Sequence, residues 1–368
     1  MRIRLEKRRE ISRLMLALSP IGAVAMTMIV GAIIFRAIGY DGPRAVGEIF
    51  FTPVLASYKW QDVAAKAAPL ILIALGLTLG NQAKVWNIGA EGQYLVGALG
   101  GAGVAILTQS QHGPWIVPLM IVAGMAAGAL WAAPVAYLRN RYGVNEILSS
   151  LMLAYVAQQL LNYLVTGPWK DPHGQNFPQT APFTPDQRLP TGLFGLPFPP
   201  GLYIAFALAL VFWLVMARSE FGLGVRIVGE APKAARYAGY RASDAIWSTL
   251  LISGAMAGLA GVLETTTQSG QLNLGFPSGY GFTAIIVSFL GRLHPIGIVL
   301  AGIVLAISYV GGQVAQTTVH VPSATAGIFQ AMMLFFILAS DVLVRRRIRL
   351  VATAPEAIAS PAVAGAAK

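Results

Sequence analysis

Ala83-Lys84-Val85-Trp86-Asn87-Ile88-Gly89-Ala90-Glu91-Gly92-Gln93-Tyr94-Leu95-Val96-Gly97-Ala98 lies between two apolar runs, and its reading decides the fold. Asn87, Glu91 and Gln93 stand at the edge of hydrocarbon-rich sequence, where a carboxylate or amide is costly unless something pairs with it. Gly89 and Gly92 let the backbone leave a helix, expose its polar groups and start again. The stretch reads as a break between two membrane-spanning helices, with the rest of the chain a helical bundle around it.

Composition sets the solvent. Of 368 residues, 56% are hydrophobic and only 11% charged, and the mean hydropathy is +0.64. A soluble domain carries about 25% charged residues, so this chain has too few to cover a water-facing surface and meets a lipid bilayer instead. Its 40 glycines and 22 prolines agree, because both are commoner in membrane helices than in soluble ones. The absence of cysteine rules out disulfides and thiolate metal sites. His112, His173, His294 and His320 are dispersed, with no pair at ligand spacing, so no metal is expected. The net charge of +11 is assigned to loops that fix orientation, and no nucleic-acid partner is expected.

Residues 1–13 form a basic cytoplasmic arm. The uncharged run at 14–35 is about 22 residues, longer than a signal-peptide core, and reads as an uncleaved first span. Residues 36–66 are external, with a short interfacial helix near 46–58. Further spans are predicted at 67–79, 94–110, 115–138, 144–165, 202–217, 245–263, 281–291, 295–312 and 324–343. Residues 166–200 carry nine prolines and form an external loop. Residues 218–244 are the largest internal loop, and 265–280 is re-entrant or a loop. Arg345, Arg346, Arg347 and Arg349 stop the last span inside, and 350–368 is a disordered tail. The expected fold is an all-α polytopic membrane protein whose transmembrane domain covers 14–349. It has about ten transmembrane helices, some broken or re-entrant, and cytoplasmic N and C termini. Alternating the loops puts about twenty basic residues inside and about six outside, as the orientation rule requires. Gly97/Gly101, Gly124/Gly128 and Gly254/Gly258 are spaced for close helix packing.

No enzyme motif is legible. G-x-x-x-x-G-K-[ST], H-E-x-x-H and G-x-S-x-G are all absent, and the acidic residues are scattered. Asn87-Ile88-Gly89-Ala90-Glu91-Gly92-Gln93 resembles the signature of permease subunits of bacterial ABC importers in the branched-chain amino acid, ribose and nucleoside superfamily. Its form is similar to that of the nucleoside or simple-sugar branch. Further matches are Gly143-Val144-Asn145-Glu146-Ile147-Leu148-Ser149-Ser150-Leu151-Met152-Leu153, Ala234-Ala235-Arg236-Tyr237-Ala238-Gly239, Phe282-Thr283-Ala284-Ile285, Leu290-Gly291-Arg292 and Pro295-Ile296-Gly297. The likeness runs in order from about Pro69 to Arg347. Two positions depart from it: Ala154 and Glu230 stand where an Asn is usual in that branch.

The resemblance implies a multi-pass inner-membrane permease without catalytic residues. It implies that ATP and magnesium are held by partner ATPase subunits, with no cofactor on this chain. It also implies a second permease subunit, a paralogue or another copy, and an extracytoplasmic substrate-binding lipoprotein. The solute would be a nucleoside or related purine, or else a simple sugar. An ion-coupled secondary transporter is the alternative, and it needs a coupling carboxylate deep in a span.

Two groups of residues follow. Asn87, Glu91, Gln93, Asn145 and Glu146 are candidates for the substrate pathway. Structural roles stay open for them: Glu91 could pair with Lys84 or cap a helix start, and Glu146 suits the first turn of a helix. Glu230, Pro232, Ala235, Arg236, Tyr237 and Gly239 are the ATPase-coupling group, with Pro232 opening a short helix and Gly239 ending it. A solvated basic loop is the plainer reading of that segment.

Overall fold

The computed structural model describes residues 2–7, 13–192, 195–276, 279–322 and 324–351. The order is β1 (Arg2–Lys7), α1 (Arg13–Ile38), α2 (Gly42–Phe50), α3 (Thr52–Leu55), α4 (Trp60–Gln82), α5 (Ala90–Leu107), α6 (Ile116–Tyr142) and α7 (Glu146–Thr166). It continues with α8 (Pro200–Arg218), α9 (Glu220–Glu230), α10 (Pro232–Tyr237), α11 (Ala242–Glu264), α12 (Tyr280–Leu290), α13 (Pro295–Thr318), α14 (Thr325–Arg345) and β2 (Arg346–Val351). A helix covers each stretch read as a span. Among the described residues, seven helices are long and apolar enough to cross a bilayer, namely α1, α4, α6, α7, α8, α11 and α13. The chain is a multi-pass membrane protein.

The bundle is organised around α4. Every residue from Ala67 to Gly80 is buried, as expected of a helix that is hydrophobic on all sides. It packs against α8, α11, α12 and α13. α4 begins at Trp60, seven residues before the predicted span. Asp62 and Lys66 made those first turns read as loop, but Lys66 is neutralised inside the bundle by Glu264.

The three glycine pairs converge on one seam between α5, α6 and α11. A Cβ on Gly128 would lie 2.9 Å from the Cα of Gly258, and one on Gly254 would lie 3.0 Å from the carbonyl carbon of Gly128. Gly97 faces the backbone of Gly258 in the same way. The backbones therefore touch where side chains would hold them apart.

The membrane-spanning part is helical, as expected, and beside it β1 and β2 form a short antiparallel ladder in the register Arg2↔Val351 to Lys7↔Arg346. Arg2-Ile-Arg-Leu and Arg347-Ile-Arg-Leu alternate in polarity with period two, a strand pattern that the concentration of charge obscured. Leu350 and Val351 accordingly belong to a strand, and the rest of the predicted tail lies outside the described residues. Within the segment at 36–66, Ala45, Val46, Ile49 and Phe50 of α2 are buried.

The proline-rich segment is tied to the end of α11. α11 runs into a π-helical turn at Thr265–Ser269 and then Gly270, with φ +62°. Thr180 N–H donates to Leu272 at 2.9 Å, Phe183 N–H to Gly270 at 2.8 Å and Leu189 N–H to Thr266 at 3.0 Å. Gln179 and Asn273 form an antiparallel bridge.

Candidate functional site

The α4–α5 break is a latch assembled from the motif's own side chains. Asn87 Nδ2 donates to Gln93 Oε1 at 2.8 Å, and Gln93 Nε2 returns a bond to Asn87 Oδ1 at 3.2 Å. Asn87 Nδ2 also reaches Ser253 Oγ on α11 at 3.0 Å, and its Oδ1 accepts from Gly89 N–H at 3.1 Å. Both amides are buried. A buried amide needs its donors and acceptors paired, and these two largely pair each other.

Glu91 spans to another helix. Its Oε1 accepts from Gly279 N–H at 3.0 Å and its Oε2 from Gly281 N–H at 2.6 Å, so it caps the start of α12. The first amides of a helix have no partner within it, and a carboxylate satisfies them with the favourable sign of the helix dipole. Gly281 admits this approach because it has no side chain; a Cβ there would collide with the backbone of Ala90 and Glu91. Of the roles left open for Glu91, the geometry matches helix capping, on α12.

Asn145 is the N-cap of α7, its side chain accepting from Ile147 N–H at 2.9 Å. Glu146 accepts from Trp86 N–H at 3.3 Å and forms an ion pair with Arg139 at the end of α6. Ser150 Oγ accepts from Ile88 N–H at 3.2 Å. A Cβ on Gly92 would lie 2.7 Å from the Cα of Ala154, so α7 lies directly on α5. The five predicted pathway residues thus collect around the break and the start of α7, and four of them bind protein groups across elements.

A second polar cluster joins residues that no local pattern links. Lys66 on α4 pairs with buried Glu264 at 3.5 Å, and its ammonium sits 5.4 Å from the centre of the Tyr280 ring. Tyr94 stacks on Phe276 at 5.3 Å and meets Tyr280 edge-on at 5.8 Å, and Tyr280 meets Tyr309 at 5.6 Å. Thr283 Oγ1 lies 3.1 Å from the Tyr309 hydroxyl and donates to Gln330 Oε1 at 3.0 Å. Nothing local in the sequence joins Lys66 to Glu264; only the packing of α4 on α11 brings them together.

At the far end of α8, α9 and α10 form a paired projection. Pro232 stands at the start of α10, whose first N–H needs no partner. Tyr240 N–H closes the helix on Ala235 at 2.9 Å, and Gly239 adopts φ +86°. Buried Ala235 anchors α10, while Tyr237 is 94% exposed. Glu230, Pro232, Arg236 and Gly239 are exposed too. A cleft of about 340 Å³ opens beside them, lined by Glu220, Phe221, Val228, Tyr240 and Arg241.

Comparison with known proteins identifies the family. Residues 60–338 match the profile of the family described as branched-chain amino acid transport system / permease component. The chain is similar to the glucose ABC transporter permease protein TsgB13 of Haloferax volcanii, at 36% identity over 94% of this chain and 93% of that one. It is similar to the guanosine ABC transporter permease protein NupP of Bacillus subtilis, at 29% identity over 90% and 95%. With the nucleoside ABC transporter permease protein NupB of Lactococcus lactis subsp. cremoris the identity is 25% over 87% and 90%.

Proposed function

The chain belongs to the branched-chain amino acid transport system permease component family, and from that premise we propose which solute and which partners this ABC importer permease serves. The solute is an uncharged polar molecule, a nucleoside or related purine or a simple sugar. The observation that carries this reading is the near full-length likeness to permeases named for glucose, guanosine and nucleosides. ATP hydrolysis belongs to partner ATPase subunits, since this sequence has no phosphate loop. The chain itself binds no cofactor.

The membrane domain crosses about ten times, with both termini and the α9–α10 projection on the cytoplasmic side. α10 docks on the ATPase, offering Tyr237 and Arg236 outward while Ala235 fixes it to the bundle. A second permease subunit and an extracytoplasmic binding lipoprotein complete the complex. Asn87, Gln93 and Glu91 hold the discontinuity between α4, α5 and α12, and Glu146 carries its movement to α7. Access alternates as the ATPases close. An ion-coupled mechanism finds little support, because Glu91, Glu146 and Glu264 are each engaged by fixed partners.

The test is reconstitution of the chain with its ATPase subunits, second permease and binding protein in proteoliposomes. Saturable uptake of radiolabelled guanosine or glucose that requires ATP is expected. Uptake that continues without ATP and collapses with an uncoupler would reinstate the ion-coupled reading.

A further inference from the structure

α7 is the least apolar of the seven spanning helices, with a mean hydropathy of 1.2 against 1.7–2.2 for the other six. The cause lies on one face. Leu148, Met152, Tyr155, Gln159 and Tyr163 recur every three or four residues and so share a side of the helix. Gln158 and Asn162 flank that line. Leu148, Met152, Tyr155, Gln158, Gln159 and Tyr163 are all exposed, whereas Ser150, Ala154, Ala157, Leu161 and Val165 on the other side are buried. Three other spans expose large aliphatic side chains instead: Ile21, Ile29 and Ile33 on α1, Val122 and Leu130 on α6, Leu210 and Val211 on α8.

Depth makes this face unusual. A helix of 21 residues is about 31 Å long, close to the thickness of the hydrocarbon core. Gln158 and Gln159 stand just past its midpoint. Asn162 Nδ2 donates to Gln159 Oε1 at 3.1 Å, which uses one donor and one acceptor of the row. Each amide carries two donors and an acceptor, and hydrocarbon offers a partner to none.

We infer that the outward face of α7 is a wall of the solute path and a recognition surface for an uncharged, hydroxyl-rich ring, meaning a sugar ring, free or as the ribose of a nucleoside. The inference rests on the permease reading above and names the surface that meets the solute. Glu146, at the helix start and bound to Arg139, is the only charged residue on α7, so a charged solute finds no counter-ion. The amides donate to and accept from hydroxyls, and Tyr155 and Tyr163 offer ring faces about 12 Å apart along the axis, eight residues at 1.5 Å each. The buried side of α7 rests on the Asn87 latch through Ser150 and on Trp86 through Glu146. A shift of the latch therefore moves the recognition face. The second permease subunit supplies the opposite wall.

The chain contains no cysteine, so a single cysteine is the only thiol on this subunit, and labelling of its band in the separated complex reports that position alone. Tyr155→Cys, Gln159→Cys, Val122→Cys and Leu130→Cys are placed one at a time in the reconstituted complex. Each is treated with a charged, membrane-impermeant methanethiosulfonate. Modification at 155 and 159 at least tenfold faster than at 122 and 130 is expected. Gln159→Leu is expected to cut uptake at least tenfold, for glucose or for guanosine, whichever arm the unmodified complex carries. Modification at 159 as slow as at 130 overturns the inference, because that face then lies in lipid. Cross-linking of position 159 to the second subunit with no access for the reagent also overturns it, as a dry interface. The labelling rates are readable in vesicles that show no uptake, so failure of the transport reading and failure of this one remain distinct.

Discussion

Glu91 shows how far single residues were legible. The cost of an ionised group near hydrocarbon marked it in the sequence, and capping was among the roles considered. Its partners, Gly279 and Gly281, lie 188 and 190 positions away and gave no local signal. Glu91→Ala leaves two amides at the start of α12 unsatisfied, and a loss of about 1–3 kcal/mol is expected, read as a lowered Tm in detergent. Lys66 was hidden for the same reason, because its partner Glu264 is distant in the chain. Lys66→Met strands the buried carboxylate and should cost about 3–5 kcal/mol, whereas Lys66→Met with Glu264→Leu should recover much of that loss. A double variant no more stable than the single one would show that the pair is held for other reasons. Tyr94 is fully buried and its hydroxyl has no hydrogen-bond partner among the described residues. Tyr94→Phe should therefore leave Tm unchanged or raise it.

Elements were legible where the local rule and the packing agreed. Pro232 marks the first turn of α10 and Gly239 its end, and both are readable in eight residues of sequence. The start of α4 was not, because charge at Asp62 and Lys66 outweighed the apolar run that follows. The glycine seam was readable as spacing but not as partnership: three pairs on three helices prove to be one contact. Gly258→Val should destabilise the bundle by more than the roughly 1–3 kcal/mol of ordinary overpacking, since the clash is with backbone on α6 that no rotamer relieves. Fluorescence-detected size exclusion would register it as loss of the monodisperse peak. Gly22, with nothing within 4 Å, is the control and should tolerate Ala. Replacing Arg236 and Tyr237 of α10 together by Ala should leave the fold intact and uncouple ATP hydrolysis from uptake. Full coupling in that variant would remove α10 from the docking role.

For the molecule as a whole, the positions of the helices were read from hydropathy because lipid allows only internally bonded backbone to cross. What hydropathy could not convey is which helix is central. α4 and α1 have similar mean hydropathies, 1.9 and 2.2, yet one is enclosed by protein and the other lies at the margin. The ladder between β1 and β2 was equally invisible, since it joins segments more than three hundred positions apart. α1 leans on α14, with Phe35 against Phe329, and Phe50 of α2 meets the same ring. Part of the surface on which α1 rests is therefore supplied by a helix made much later in the chain. A nascent chain stopped before Thr325 would display the α14-facing side of α1 to the cell's quality-control proteases, and synthesis carried through to Arg345 would cover it.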